Sequence, residues 1–369
     1  YCTMILADQG ADVVKVERPG IGDLSRYILT SRNGYSSLYL NLNRNKRSIA
    51  LDFSQAPGKD VLCKLLSTAD VLLENFRSGT MERLGLGYQE LKEINPDLIY
   101  VSINGFGSNG PSASEPAYDP IIQARTGMVD QQRHPDTGDV DLMRNSISDK
   151  VTSLTAAQAI SAALFHRERN GGGRHIELAL LDATLAFYWP DGMMNKTFIG
   201  DDIELRTPIS QSNRIYQTSD GHIVISAVQQ KDIEGLCRAL NCSFLLEDTR
   251  FATAPQRMAH YGAWETELIA QILKSKCAPL AARLRDEEVP HGLVNNAEQV
   301  LQDPQVIARQ LLTETTHPEA GSLRQVRPPA VVNSDSCKTV IKHAPALGEH
   351  TEEILLEAGY NKEFIESLG

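Results

Sequence analysis

The stretch ISDKVTSLTAAQAISAALFHRERNGGGRHIELALLD, residues 147–182, decides the architecture. It reads as a helix, a sharp stop and a strand. Val151, Leu154, Gln158, Ala162 and Phe165 recur at helical spacing. Ala156, Ala157, Ala159, Ala162 and Ala163 leave the helix little side-chain bulk, so another element can pack close. Gly171, Gly172 and Gly173 end it, because glycine takes positive φ without steric cost. Ser148 and Asp149 stand at its start. One reading of Asp149 is an N-cap, accepting the orphan amide hydrogens of the first turn. The other uses the same physics: a helix N-terminus favours an ionised carboxylate, and an ionised carboxylate can be a covalent nucleophile. This stretch alone leaves both open.

Upstream, strands alternate with helices. Cys2 to Gln9 reads as the end of a helix, Gly10 closes it, and Asp12 to Glu17 is a short buried strand. Ser48 to Asp52, Asp70 to Glu74 and Leu98 to Ile103 read as further strands, with an amphipathic helix from Pro57 to Thr68 between two of them. Such alternation predicts a parallel, doubly wound sheet. In such sheets ligands bind at the carboxyl ends of strands, and Arg18, Asn75, Arg77 and Arg83 fall there or in the next turn. Asn43 to Arg47 is a basic turn, readable as a solvated turn or as a phosphate contact. Gly105 to Gly110 matches G-x-G-x-x-G after a strand, but Pro111 and Pro116 follow at once, so no helix can start there and nicotinamide binding is rejected.

Beyond about Gly200 the character changes. Ile215 to Ser226 reads as a hairpin turning at Asp220-Gly221. Helices are expected from Lys231 to Arg285, a strand at Gly292 to Asn295, and one helix from Asn296 to Leu311. The expected organisation is a large domain over 1–199, a smaller α+β domain over 200–315, and a return segment over 316–369. The segment from His134 to Asp141 reads as a surface loop.

With 369 residues, 41% of them hydrophobic and 22% charged, the chain is long enough for two domains with real cores. A net charge of −11 argues against a general nucleic-acid surface, so an anionic ligand needs locally placed cations. The six cysteines are scattered without metal-like pairing, which excludes a cysteine-based metal site and fits reduced thiols in an intracellular, cytoplasmic protein. No apolar run reaches the length of a membrane span. The chain starts as if already inside a helix, which suggests a truncated N-terminus.

Several motifs in order carry a family resemblance: Ala11 to Glu17, Asn45 to Ser48, Asp70 to Arg77, Arg83 to Gly85, Asn95-Pro96, Gly105 to Gly107, Tyr118-Asp119, Asp149, Arg174 to Leu181 and Pro345 to His350. Together they resemble the class III CoA-transferases, the family of formyl-CoA and carnitine CoA-transferases, to which α-methylacyl-CoA racemase is related. The resemblance implies a Rossmann-like large domain with a parallel sheet, an inserted small domain and an interlocked homodimer. It implies Asp149 as the catalytic carboxylate. It implies CoA contacts at Arg18, at Leu51, Asp52, Phe53 and Ser54, at Asn75, Phe76 and Arg77, at Arg83, and at Ala117, Tyr118 and Asp119. It also implies a segment before Tyr1 that completes the CoA site. No counterpart of the family's glycine-rich active-site loop is present, and Tyr118-Asp119 stands where the racemases carry His–Asp.

The expected activity is therefore transfer of CoA between an acyl-CoA donor and a small carboxylic acid, through an aspartyl anhydride and an aspartyl-CoA thioester. Coenzyme A and acyl-CoA enter as substrates, with no permanently bound cofactor, no metal, no nucleic acid and no membrane. Two alternatives stay open: an acyl-CoA racemase, for which Tyr118 is a poor base because its ordinary pKa is about 10, and a non-catalytic CoA-binding paralogue. His166, His175 and His222 read as structural. Trp189, Tyr188 and Met193 line a pocket or belong to the core.

Overall fold

The computed structural model describes residues 1–134, 137–205, 214–330 and 341–368. Pro135, inside the expected surface loop, and Cys337 lie outside them. The chain divides into two compact units, residues 1–190 with 308–369, and residues 191–307.

In the first unit, elements follow in the order α1 (Cys2–Asp8), β1 (Val13–Glu17), a small hairpin of β2 (Ser31–Arg32) and β3 (Tyr35–Ser36), α2 (Ser37–Leu42), β4 (Lys46–Ala50), α3 (Ala56–Leu66), β5 (Val71–Glu74), α4 (Thr80–Arg83), α5 (Tyr88–Ile94), β6 (Ile99–Asn104), α6 (Asp119–Arg125), α7 (Met128–Gln131), α8 (Ile147–Asn170), β7 (Arg174–Ala179) and α9 (Leu180–Gly192). The parallel strands form two pieces. β1 pairs with β4, and β5, β6 and β7 pair in that order. Among the described residues no ladder joins the pieces, so the single doubly wound sheet expected from the alternation is resolved as two parallel ones.

Both faces of β6 are covered. Tyr100 points into a cluster with Ile49, Val61, Leu62, Leu91 and Ile354. Ile99, Val101 and Ile103 point the other way, against Cys2 of α1 and Ala156, Ala157, Ile160 and Ala163 of α8. The strand is therefore apolar almost throughout, as a central parallel strand must be.

Helix α8 packs through a different stripe from the one spaced out in the sequence. Its buried residues are Ser148, Val151, Thr152, Ala156, Ala157, Ile160 and Ala163. Leu154 and Phe165 are 52% and 62% exposed, so these two bulky residues face outward while Ile160 and the alanines meet the sheet. Small side chains let the backbone of α8 approach β6 closely, and that approach outweighs burial of the larger groups. The helix stops where expected. Gly171 and Gly172 take φ of +70° and +81°. A Cβ on Gly173 would lie 2.1 Å from the carbonyl oxygen of Leu98, so only glycine lets β7 enter beside β6.

The return segment joins this unit through a hairpin, Leu312–His317 with Gly321–Val326, that the sequence pattern did not suggest. Arg26 Nη1 and the Tyr39 hydroxyl both donate to Pro345 O, at 3.2 and 3.0 Å, and Gly348 N–H donates to Ser48 Oγ at 3.0 Å. The Pro345 to His350 motif thereby docks on β4.

In the second unit, Ile215–Gln217, His222–Ile225 and His291–Leu293 form a three-stranded antiparallel sheet. Its core gathers Ile223, Leu236, Phe251, Trp264, Leu268 and Leu284. The single helix expected over 296–311 is two, Ala297–Gln302 and Pro304–Ala308. Pro304 cannot donate within the first helix and starts a new one.

Candidate active site

The carboxyl ends of the parallel strands bring most of the singled-out residues together. Arg18 follows Glu17 at the end of β1, and Leu51 to Ser54 follow Ala50 at the end of β4. Glu17 and Ala50 are partners in register, and Leu51 N–H donates to Glu17 O at 2.8 Å, so the two loops leave side by side. Leu51 is buried. Asp52 Oδ1 accepts from Ser54 N–H at 3.0 Å and from Ser54 Oγ at 2.6 Å, which closes that loop.

At the end of β5, Glu74 Oε2 accepts from Phe76 N–H at 2.7 Å and fixes the turn holding Asn75, Phe76 and Arg77. The Phe53 and Phe76 rings meet edge to face with centroids 6.3 Å apart, linking the two loops. Arg83 closes α4 and donates from Nη2 to Thr80 Oγ1 at 3.0 Å. Arg18, Arg77 and Arg83 are exposed. The side chains of Arg18 and Arg77 make no hydrogen bond or ion pair with any described residue, so their guanidinium donors are available to an anion.

A buried network holds the first of these loops. Arg26 donates from Nε and Nη2 to the two carboxylate oxygens of Glu17, at 2.8 and 2.7 Å. Ser48 Oγ donates to Glu17 Oε1 at 2.7 Å, and Asp23 N–H to Oε2 at 3.0 Å. Burial opposes ionisation of Glu17, but the bonds from Arg26 and Ser48 outweigh it and hold the carboxyl below the usual range. The segment from Arg18 to Arg26 is thus anchored at both ends.

The basic turn before β4 fits neither of its readings. Arg44 makes a two-pronged bond with Asp8, with Nη2 to Oδ2 at 2.6 Å, and both side chains are buried. Lys46 Nζ donates to Asn43 Oδ1 at 2.9 Å. Arg47 pairs with Asp12, Glu353 and Glu357. These cations tie α1, the residue before β1 and the helix Thr351–Glu357 to the start of β4, which leaves them unavailable to phosphate.

The end of β6 carries the other half of the arrangement. A Cβ on Gly105 would sit 2.3 Å from Ala117 Cβ, so the absent side chain lets the 117–119 segment lie on the strand end. Turns, with no helix, follow Gly110. Tyr118 is 76% exposed and precedes α6. Asp119, one residue on, is 5% exposed. Its Oδ1 accepts from Gln123 Nε2 at 2.6 Å, and its Oδ2 accepts from the backbone N–H of Asp149 at 3.1 Å.

Asp149 is the third residue of α8, one of two readings open from sequence being that it capped the helix. Ser146 occupies the N-cap position, without a side-chain cap bond. The Asp149 side chain reaches solvent, and its carboxylate makes no hydrogen bond or ion pair with any described residue. The surrounding protein and then the Asp119 charge push its carboxyl above the usual range. The helix N-terminus favours the ionised form, but here desolvation and a second acid prevail. A carboxylate so placed is more basic than an ordinary aspartate and has no hydrogen-bond partner among the described residues.

Two supporting residues, Arg26 and Gln123, were given no role from the sequence, and Ser48 and Gly105 entered there only as members of motifs. Only Gln123 carried a local signal, being four residues from Asp119 and hence on the same helix face. His175, read as structural, hydrogen-bonds to Ser102 Oγ at 2.8 Å and stacks on Tyr88.

Comparison with known proteins adds the following. The family model described as CoA-transferase family III matches residues 1–351. The chain is 33% identical to the succinate–glutarate CoA-transferase of Agrobacterium fabrum, over 97% of this chain and 91% of that protein. It is 32% identical to the succinyl-CoA:glutarate CoA-transferase of Mus musculus, over 100% of this chain and 85% of that protein. Among solved structures, Rv3272 from Mycobacterium tuberculosis superposes with a TM-score of 0.83 at 32% identity, covering 96% of this chain and 94% of that one.

Proposed function

Because the chain belongs to CoA-transferase family III, we propose that it moves CoA between an acyl-CoA donor and a carboxylic acid acceptor with Asp149 as the nucleophile. The observation that carries this reading is the unpartnered, solvent-reached carboxylate of Asp149 in the first turn of a 24-residue helix, with its carboxyl pushed up. The Asp149 carboxylate attacks the thioester carbonyl of the donor, giving an acyl–aspartyl anhydride and CoA thiolate. The thiolate attacks the aspartyl carbonyl, the donor acid leaves as its carboxylate, and Asp149 becomes a CoA thioester. The acceptor carboxylate attacks that thioester, giving a second anhydride and releasing thiolate. The thiolate then takes the acceptor's carbonyl, and Asp149 returns as the free carboxylate. Each step exchanges one activated acyl group for another, which is the gain of covalent catalysis. Backbone amides near Asp149 are the candidates to hold the developing oxyanions, apart from that of Asp149 itself, which Asp119 takes.

CoA lies along the strand ends in this reading. Arg18, Arg77 and Arg83 bind its phosphates, Leu51 to Ser54 and Asn75-Phe76 line its path, and Ala117 to Asp119 flank the end nearest Asp149. The exposure of the three arginines and the contact between Phe53 and Phe76 support it. The enzyme works as an interlocked homodimer, supported by the outward-facing Leu154 and Phe165 of α8. No helix among the described residues is long and apolar enough to cross a membrane, and the five described cysteines are unpaired, which supports a reducing, cytoplasmic setting.

The relatives named above make short dicarboxylates the first acids to try. The test is a screen of succinyl-CoA and acetyl-CoA against glutarate, succinate, mesaconate and oxalate. Incubation with acyl-CoA alone should leave a hydroxylamine-labile adduct on the peptide containing Asp149, seen by mass spectrometry. An adduct confined to another residue, with turnover intact, would overturn the assignment.

A further inference from the structure

We infer that Asp119 is a positioning residue for Asp149: held in place by Gln123, its buried carboxylate caps the first turn of α8 at the amide of Asp149 and keeps a second acid beside the reacting one. The inference rests on the proposed role of Asp149 as nucleophile and adds a residue that acts through it. Three observations carry it. Asp119 is 5% exposed although it adjoins Tyr118, one of the most exposed side chains of the unit. Both its oxygens are engaged inside the protein, Oδ1 with Gln123 and Oδ2 with Asp149 N–H. Gln123, 1% exposed, is itself locked by Met143: its Nε2 donates to Met143 O at 3.1 Å, and its Oε1 accepts from Met143 N–H at 3.0 Å.

The physical consequence is specific. A long helix leaves its first amides without partners, and Asp149 presents one of them. The acceptor comes from α6, thirty residues earlier in the chain. The same oxygen that fixes the amide brings negative charge to the carboxylate on the same residue. The charged groups facing Asp149 are Asp119 from α6 and Lys150 on its own helix. Only Asp119 repels its ionised form, so Asp119 keeps Asp149 basic while holding its backbone still.

The test uses Asp119→Asn in the full chain, which keeps an acceptor oxygen for the Asp149 amide but removes the charge. On succinyl-CoA and glutarate, or the screened pair that the wild type turns over, kcat should fall about tenfold, with KM for the acyl-CoA within about twofold. The acid limb of the kcat/KM profile should move to lower pH, because the group it reports has lost a repelling neighbour. A purely structural role does not move that limb. An acid limb in the wild-type position, with kcat unchanged or only KM raised, overturns the inference. Should the asparagine variant fail to fold, Asp119→Ser, smaller and uncharged with an oxygen retained, is judged by the same criteria. The underlying reading is tested separately. Full activity of Asp149→Asn removes the nucleophile itself, whereas an inactive Asp149→Asn beside a wild-type-like Asp119→Asn removes only the positioning role.

Discussion

The carboxylate of Asp119 accepts the backbone amide of Asp149 at 3.1 Å, so two acids thirty residues apart meet at the first turn of α8. One is buried and fully bonded; the other reaches solvent with a free carboxylate. Desolvation and the Asp119 charge raise the Asp149 carboxyl. The site therefore holds an acid whose ionisation comes at some cost to the stability of the fold.

That cost gives a first prediction. An acid whose folded pKa is raised binds more protons folded than unfolded between the two pKa values, so stability falls as pH rises through that window. The penalty is complete above the raised folded pKa of Asp149 and absent below its unfolded one. Asp149→Asn removes the titrating group. Its melting temperature should equal or exceed that of the wild type at neutral pH, with the difference vanishing in acid, while turnover falls by several orders of magnitude. Scanning calorimetry across pH checks this; a mutant less stable at neutral pH than in acid, relative to the wild type, contradicts it.

Arg83 and Arg77 are exposed, and a charge-assisted bond to phosphate contributes about 1.5–3 kcal/mol. Arg77→Ala and Arg83→Ala should each weaken CoA binding by that amount in calorimetric titration and leave the melting temperature unchanged. Unaltered affinity would mean that CoA runs elsewhere.

The Glu17–Arg26 pair behaves in the opposite way. Its partners are buried, and removing one leaves the other charged and unpaired, at a cost of about 3–5 kcal/mol. Glu17→Gln should lower stability by that order in denaturant melts. Because the network anchors the loop that carries Arg18, CoA affinity should fall with it. A variant as stable as the wild type would show that the pair is compensated.

Gly105→Ala places a Cβ 2.3 Å from Ala117 Cβ. Overpacking of this kind costs about 1–3 kcal/mol. The single variant should lose stability and activity together, and Gly105→Ala/Ala117→Gly should recover much of both. A double variant no better than the single one would mean that the strand end does not position the 117–119 segment.

Tyr118 is exposed, its hydroxyl hydrogen-bonds to no described residue, and a phenol is a poor base at neutral pH. Acyl-CoA incubated with the enzyme in heavy water should keep its α-hydrogens, as mass spectrometry would record. Steady deuterium uptake would favour the racemase alternative.

Much of this was written in local sequence. The three glycines after Asn170 required a stop, the apolar runs at 12–17, 70–74 and 98–103 required strands, and parallel pairing sets the loops after paired strands at one edge. Those are short-range consequences of backbone sterics and side-chain period, so they survive without knowledge of neighbours. The position of Asp149 near a helix start was also legible. What it does there was not, because capping and reactivity depend on which groups approach from elsewhere. The face by which α8 packs was decided by β6, whose closeness selected alanine over leucine and phenylalanine. The partners of Arg44 and Arg47 were decided by acids on α1, before β1 and in the helix Thr351–Glu357. The amide of Asp149 found its acceptor on α6, and only the tertiary structure brings those two chain segments within hydrogen-bonding distance.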